Sequence, residues 1–453
     1  MTSLKKRNAE LLPPTLELYF TNRCNLGCRY CSSGLLKGGA PKTLSFEEIM
    51  RGIGLAAGYA ARRGGPALTV GLTGGEPLLE FDLVRRVVKR VRREYPGLNL
   101  HLCTNGTLLD REKAGFLLEN GVELDLSLDG AGAAHDRNRR FGRGGAGSVF
   151  GTVMANLGKL PRGWLGRMRA VATFNSGTIS GVTDSLKFLY GLGFKSAGFG
   201  LDIYELWPRK KLPVLAAALA RFRAYYLEVY KEALRGGARP APFPFENKLG
   251  GAQSALVSNE FSLSVDGYFF PSDTVCRGKG GPGCTIGDLR DGIDFKKLER
   301  TYAGLSELLS RYNYPNGILP AADRYYHAIF AGADSGEALR NGLAVSEVFA
   351  QQLGGLMYAK ELLDGLLTDK AFGDFSHRPK YSAGKPVGVF ASEAPRDLAA
   401  SRKALDFCFC SPGRGKRLEL EAPAFSDREA KLALYALVKA EQLGRPLKIS
   451  LQG

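Results

Sequence analysis

The stretch that decides the fold is TLELYFTNRCNLGCRYC, residues 15–31. Its first six residues favour extended backbone and read as a strand, 15–20. That strand runs straight into three cysteines, Cys24, Cys28 and Cys31, spaced C-x3-C-x2-C. On a helix this spacing would stack the thiols on one face. Gly27 and the asparagines at 22 and 25 argue instead for a loop that wraps its thiolates around something.

Outward from this loop, strands and helices alternate. Ser45 and Glu48 form a capping box that opens a helix to about residue 63, closed by Gly64-Gly65. A strand at 68–73, a helix at 81–95 stopped by Pro96-Gly97, and a strand at 98–103 follow. A helix opening near Asp110 ends at Asn120-Gly121, before a strand at 122–128. A Gly- and Arg-rich loop (131–147) leads to a helix at 149–160, a strand at 168–174, another helix and a strand at 196–203. The alternation predicts βα units on a parallel sheet. About six units in about 200 residues are too few for a closed eight-fold barrel. The expected fold class is α/β, a partial (βα)6 TIM-like barrel with a smaller α+β C-terminal accessory domain. Its chemistry is expected at the carboxyl ends of the strands.

A chain of 453 residues exceeds one ordinary domain. The expected division is 1–235 for the barrel, 236–375 for the accessory domain and 376–453 for a β-α-β tail. In the tail, Leu420-Glu421-Ala422-Pro423, a helix and Leu451-Gln452-Gly453 echo residues 74–77, a helix and residues 104–106. The echo is either a decayed second copy or a generic βαβ unit. With the first strand at residue 15, no separate leader-binding domain is expected before it.

The 44% apolar content excludes global disorder. The basic N-terminus is interrupted by Asn8, Glu10, Pro13 and Pro14, so it does not read as a signal peptide. No stretch approaches the roughly 18 apolar residues of a membrane span. A cytoplasmic protein is expected, and in a reducing compartment clustered thiols read as metal ligands or catalytic groups rather than disulfides. The four histidines, His101, His135, His327 and His377, are too scattered for a multi-histidine metal site. The net charge of +17 suits an acidic partner, either nucleic acid or an acidic peptide; a solvated basic surface is the plain alternative.

A four-iron cluster normally takes four thiolates. Three close cysteines with no fourth beside them would leave one iron open, as a catalytic metal requires. A zinc site would lack its fourth ligand nearby; buried free cysteines are the remaining alternative.

The segment CNLGCRYC, residues 24–31, resembles the CxxxCxxC signature of the radical SAM superfamily. Thr73-Gly74-Gly75-Glu76-Pro77 is similar to the family's GGEP motif, and Thr104-Asn105-Gly106 to its TNG. Ser127-Leu128-Asp129-Gly130 with His135-Asp136-Arg137-Asn138-Arg139 resembles the SxDG…HDxxR segment of the peptide- and protein-modifying branch. The resemblance implies that Cys24, Cys28 and Cys31 ligate a [4Fe–4S] cluster whose remaining iron meets S-adenosyl-L-methionine. It implies that Tyr30 packs near the adenine, and that Gly74, Gly75 and Glu76 meet the methionine moiety, with Asn105 at the next strand end. Ser127, Asp129 and Asn175 would line the ribose side, and Arg139 would face the methionine carboxylate. The implied chemistry needs an external one-electron reductant of flavodoxin or ferredoxin type.

Residues 261–289 resemble the accessory (SPASM or twitch) domain of anaerobic sulfatase-maturating enzymes and ribosomal-peptide maturases. Residues 264–271, SVDGYFFP, are similar to its DGxxYPC hairpin, and Ile286-Gly287-Asp288-Leu289 to its IGN-like strand. The departures are Ser272 in place of a cysteine and no CxxCxxxxxC run between Cys284 and Cys408. An auxiliary cluster would fall to Cys276 and Cys284 with Cys408 and Cys410, which otherwise are free thiols. Asp273 stands where sulfatase-maturating enzymes hold a proton-accepting carboxylate, which makes it the general-base candidate; a Pro-Ser-Asp turn also favours aspartate. The implied substrate is a peptide or protein side chain. The alternatives are RNA, a small metabolite, or a non-catalytic homologue.

Overall fold

The computed structural model describes residues 14–31, 40–62, 68–142, 145–202, 205–235, 260–271, 285–300, 344–345, 348, 418–423 and 447–452. Two compact units divide at Ala350/Gln351. The first opens with β1 (Thr15–Thr21), α1 (Phe46–Arg62), β2 (Thr69–Gly74), α2 (Phe81–Glu94), β3 (Asn99–Thr104), α3 (Arg111–Glu119) and β4 (Val122–Ser127). It continues through α4 (Ala133–Asp136), α5 (Val149–Leu157), β5 (Met168–Phe174), α6 (Val182–Gly191), β6 (Ser196–Leu201) and α7 (Leu212–Arg235).

Local signals in the chain explain most boundaries. The capping box forms reciprocally: the Ser45 N–H donates to the Glu48 carboxylate at 2.7 Å, and the Glu48 N–H to Ser45 Oγ at 3.1 Å. Asp110 caps α3 by accepting from the Lys113 N–H at 2.8 Å, and Ser148 caps α5 through the Gly151 N–H at 2.8 Å. The stretch expected as a Gly- and Arg-rich loop contains α4. Asp136 ties that turn to α5, accepting from the Phe150 N–H at 2.8 Å and from Ser148 Oγ at 2.6 Å.

Strands β1 to β6 lie side by side in chain order and all pair in parallel. The sheet does not close, and this mixed α/β architecture is that of a partial (βα)6 barrel. One face packs under the helices: Leu18, Leu72, Leu102 and Leu124 are in register and buried, and Phe199 meets Phe222 of α7 edge-on at 5.4 Å. The opposite face is polar. Glu17, Gly71 and His101 align across β1, β2 and β3, and a Cβ on Gly71 would lie 2.4 Å from Glu17 Oε2 and 2.5 Å from His101 Nε2. The glycine therefore lets Glu17 reach His101 across an intervening strand, Oε1 to Nε2 at 3.2 Å. Burial opposes a charge on His101, but Glu17 outweighs it and holds the imidazole pKa above its usual value. Further along this face Arg169 pairs with Asp125 through two guanidinium nitrogens, Nε donating to Oδ1 at 2.8 Å and Nη2 to Oδ2.

After α7, β7 (Glu260–Leu263) pairs in parallel with the other side of β1, Thr15 opposite Glu260. The hairpin to β8 (Tyr268–Phe270), then β9 (Gly287–Asp288) and β10 (Gly292–Ile293), adds antiparallel strands outward. Residues expected in an accessory domain thus continue the barrel's own sheet, to ten strands. The physical cause is the free edge of β1, whose backbone groups need partners. In the second unit β11 (Leu418–Pro423) and β12 (Leu447–Gln452) pair in parallel; the helix expected between them lies outside the described residues. Among the described residues no helix is long and apolar enough to cross a membrane.

Candidate active site

At the carboxyl end of β1 the cysteine loop is clasped by the segment after α4. The Gly27 N–H donates to the Arg140 carbonyl at 2.7 Å, Arg29 N–H to Asn138 O at 2.8 Å and Gly142 N–H to Asn25 O at 2.9 Å. Leu26 and Phe141 form a β-bridge between these pairs. The next strand end presses on the loop from the other side. The Gly75 N–H donates to Thr21 O at 2.7 Å and the Glu76 N–H to Arg23 O at 2.8 Å. This approach admits no side chain. A Cβ would lie 2.3 Å from Thr21 O at Gly74, whose φ is +140°, and 2.0 Å from Arg23 O at Gly75. The two glycines are therefore required by the loop's own backbone, independently of any ligand.

Glu76 is fully buried. Its Oε1 accepts from the Leu78 N–H at 3.0 Å and from Thr104 Oγ1 at 2.7 Å, and its Oε2 accepts from the Asn105 N–H at 2.7 Å. Burial raises its pKa, and the bonds from Thr104, Asn105 and Leu78 only partly offset that. Asn105 passes the connection on: its Nδ2 donates to Asn25 Oδ1 at 2.9 Å, inside the cysteine loop. Asn25 in turn donates to Thr107 Oγ1 at 2.8 Å. The carboxylate thus braces the ends of β2 and β3 against the loop.

A second brace lies past β4. Arg139 donates to Asp129 from Nε at 3.1 Å and from Nη2 at 3.2 Å, both residues being buried. Asp129 also accepts from the Thr173 N–H at 3.0 Å and from the Tyr30 hydroxyl. The Arg139 guanidinium lies over the Tyr30 ring, 5.3 Å from its centroid. Burial opposes the charge on Arg139, but Asp129 more than offsets it and keeps the guanidinium ionised. Burial likewise pushes the Tyr30 hydroxyl well up. His135 Nδ1 accepts from the Asp129 N–H at 3.2 Å, and burial, reinforced by Arg139, lowers its pKa to about 4.

Ser127, at the end of β4, is half-buried with Cys103 Sγ 3.7 Å from its hydroxyl. Asn175, at the end of β5, is engaged in its own turn: Oδ1 accepts from the Gly177 N–H at 3.0 Å, and Nδ2 reaches Asn138 Oδ1 at 3.3 Å.

The three thiols are half-buried on one loop. Burial pushes Cys24 up to about 12, with Glu76 and the other two cysteines adding to the effect, and raises Cys28 as well. Among the described residues no three His, Cys, Asp or Glu side chains stand in a grouping ready to hold a metal ion. The sulfurs would have to be drawn in, which a loop secured through its backbone permits. Cys24 and Cys28, which resist ionisation by burial and by repulsion from the neighbouring thiols, belong to a donor set that a cation would stabilise. On that chemistry the residues fit an iron–sulfur cluster.

The structure brings together Cys24, Cys28, Cys31, Tyr30, Gly74, Gly75, Glu76, Asn105, Asp129 and Arg139 around one loop, with Ser127 and Asn175 at the next two strand ends. It gives Glu76, Asp129, Arg139 and Asn175 protein partners. Asp273, Cys276, Cys284, Cys408 and Cys410 lie outside the described residues. Sequence reasoning gave no individual role to Asn25, Thr104, Thr107 and His135, which hold the braces together. Their signal was only position, each standing within or beside a motif.

Residues 18–150 match the family model of the radical SAM superfamily. A GTP 3',8-cyclase of Paenarthrobacter nicotinovorans is 34% identical over 116 residues, 25% of this chain and 31% of that protein. A GTP 3',8-cyclase of Rhodococcus opacus is 29% identical over 175 residues, 38% of this chain and 47% of that protein. An uncharacterized protein of Methanocaldococcus jannaschii is 27% identical over 201 residues, 43% of this chain and 64% of that protein. The chain thus spans about a third to under two thirds of these relatives' lengths. Among solved structures, native anSMEcpe, an anaerobic sulfatase-maturating enzyme, with bound AdoMet and Cp18Cys peptide superposes with a TM-score of 0.56 at 18% identity. That likeness covers 76% of this chain and 99% of the other, and is one of fold. Residues 18–150 are thus similar to the radical SAM superfamily, and over a wider span the chain shares the fold of that neighbour.

Proposed function

We propose that this chain is a cytoplasmic radical S-adenosylmethionine enzyme acting on a peptide or protein side chain. The observation that carries the reading is the clasped loop, which gathers three half-buried thiols and locks them to the ends of β2, β3 and β4. When bound, the [4Fe–4S] cluster and S-adenosylmethionine supply a 5′-deoxyadenosyl radical able to take a hydrogen atom from the substrate.

This chain's own residues set the stage for that chemistry. Cys24, Cys28 and Cys31 would hold the cluster. Gly74 and Gly75 bring backbone close to the loop, beside the place proposed for the methionine moiety. Glu76 is a positioning residue, its carboxylate accepting from Leu78, Thr104 and Asn105. Arg139 and Asp129 fix Tyr30 at the rim of the loop. Ser127 offers a half-buried hydroxyl toward the same end of the sheet. Asp273 would accept the substrate proton.

The peptide substrate is supported by the fold likeness extending over 99% of a peptide-binding neighbour, and by the residue 264–271 hairpin beside β1. A second reading, a nucleotide substrate such as GTP, is favoured by the names of the sequence relatives. The test is anaerobic reconstitution with iron, sulfide and dithionite, followed by assay of 5′-deoxyadenosine with GTP or with short peptides encoded beside the gene. We expect cleavage in the wild type, none in Cys28→Ala, and stimulation by peptide rather than GTP. Stimulation by GTP alone would favour the second reading, and cleavage that persists in Cys28→Ala would overturn both.

A further inference from the structure

We infer that Arg169 is a specificity residue, reading a carboxylate side chain of the peptide substrate. The inference rests on the peptide reading given above and deepens it by naming the charge the peptide must carry.

The inner face of a closed barrel is ordinarily packed with Val, Ile and Leu. Here the corresponding face is polar and partly bare. Glu17 is paired with His101, and Asp125 is buried. Across β4 and β5, Asp125 lies opposite Arg169 and Ser127 opposite Val171. Across β5 and β6, Val171 lies opposite Gly198 and Thr173 opposite Gly200. Arg169 is therefore on the same face as Ser127, about 7 Å further from the carboxyl ends of the strands. A Cβ at Gly200 would meet no described atom within 4 Å, and its φ is not in the left-handed region. Neither packing nor backbone calls for glycine there, so this part of β6 leaves room beside β5.

Arg169 offers a charge to that room. Asp125 holds it through Nε and Nη2, which fixes the guanidinium plane. Yet the Arg169 side chain is 43% exposed, against 9% for Asp125. Among the described residues no other group pairs with it, so Nη1 and the outer N–H of Nη2 form an open edge. Such an edge takes the two oxygens of a carboxylate side by side. The surroundings narrow the ligand further. Asp125 is adjacent, and Glu123 lies on the same face. They tolerate one added negative charge better than the several that a triphosphate would bring. β5 is also four strands from β1, which carries the cysteine loop, and Arg169 stands near its foot. The edge is thus set away from the strand ends proposed for the cofactor and falls to the substrate.

The test uses the full chain, reconstituted anaerobically with iron and sulfide and saturated with S-adenosylmethionine, without reductant. A library of short random peptides, blocked at both ends, is passed over it, and the retained peptides are sequenced. The wild type should enrich Asp or Glu about tenfold at one position. Arg169→Met should lose that enrichment. Arg169→Lys, which leaves Asp125 a cation should the first variant fail to fold, should keep only part of it. Arg111→Met, at an exposed arginine on α3, should keep it in full. Acidic enrichment unchanged in the Arg169 variants would overturn the inference. So would an equal loss in Arg111→Met, which would mark a general effect of surface charge. Peptides retained by the wild type without acidic preference would also overturn it, and would leave the peptide reading standing. Arg169-dependent retention of GTP, measured beside the library, would assign the edge to phosphate and overturn the carboxylate. Retention of no peptide by the folded wild type would overturn the peptide reading and the inference with it.

Discussion

Replacing Gly75 by alanine would put a methyl group where backbone already stands. Its Cβ would lie 2.0 Å from Arg23 O, 2.5 Å from Arg23 C and 3.0 Å from Asn22 C. None of these atoms belongs to a flexible side chain, so β1 and β2 must part by about 1 Å or more to reach ordinary contact. Parting them stretches the bonds from the Gly75 N–H to Thr21 O at 2.7 Å and from the Glu76 N–H to Arg23 O at 2.8 Å. Each bond contributes about 0.5–1.5 kcal/mol, and overpacking a tight site costs about 1–3 kcal/mol. We expect a destabilisation of about 3 kcal/mol from these two sources together. The cysteine loop should shift with β1, so bound iron should fall as well. Urea unfolding followed by circular dichroism, with iron analysis after reconstitution, reads both effects. Gly58→Ala in the middle of α1 is the control. Nothing lies within 4 Å of its Cβ, and a gain of about 0.5–1 kcal/mol is expected. If Gly75→Ala unfolded within about 0.5 kcal/mol of the wild type and bound iron normally, the steric account of the motif would be refuted.

Asp129→Asn should cost about 3–5 kcal/mol in urea unfolding, because it leaves Arg139 buried without its anion; adding Arg139→Met should restore part of the loss. His135 has a folded pKa of about 4, below its unfolded value, so its contribution is fully present above about pH 6.5 and is lost as pH falls toward 4. From that shift, about 2 kcal/mol should be lost between pH 7 and pH 5, and His135→Gln should flatten that part of the stability profile. His101 carries the opposite sign: its folded pKa is raised, so its stabilisation is present below about pH 6.5 and fades as pH rises through the folded value. In Glu17→Gln that alkaline loss should disappear from the same unfolding series.

The parallel βα repeat was legible because each element carries its own punctuation. Ser45 with Glu48, Asp110, and the glycines closing α1 and α3 mark ends within one turn of where they fall. The three cysteines stand out by spacing alone, and the structure holds them on one clasped loop. The braces were not, because they join residues remote in sequence through geometry that has no period: Glu76 to Asn105, Asn105 to Asn25, Tyr30 to Asp129. For the same reason the protein partners of Glu76 and Arg139 left no trace in the motifs that single those residues out. The attachment of β7 to β1 was equally hidden, since register between strands some 240 residues apart leaves no local trace.

That attachment bears on how the protein is made. Until residues 260–263 leave the ribosome, β1 has only β2 beside it, and its other edge offers unpaired backbone groups to any passing strand. The strand that delivers the cysteine loop is thus among the last to be sealed, although it precedes the other described strands in the chain. A chain truncated before residue 260 should retain its six parallel strands yet aggregate through the bare edge of β1. Chaperone demand during synthesis would then concentrate on the interval between β1 and β7, the span over which the edge stays open.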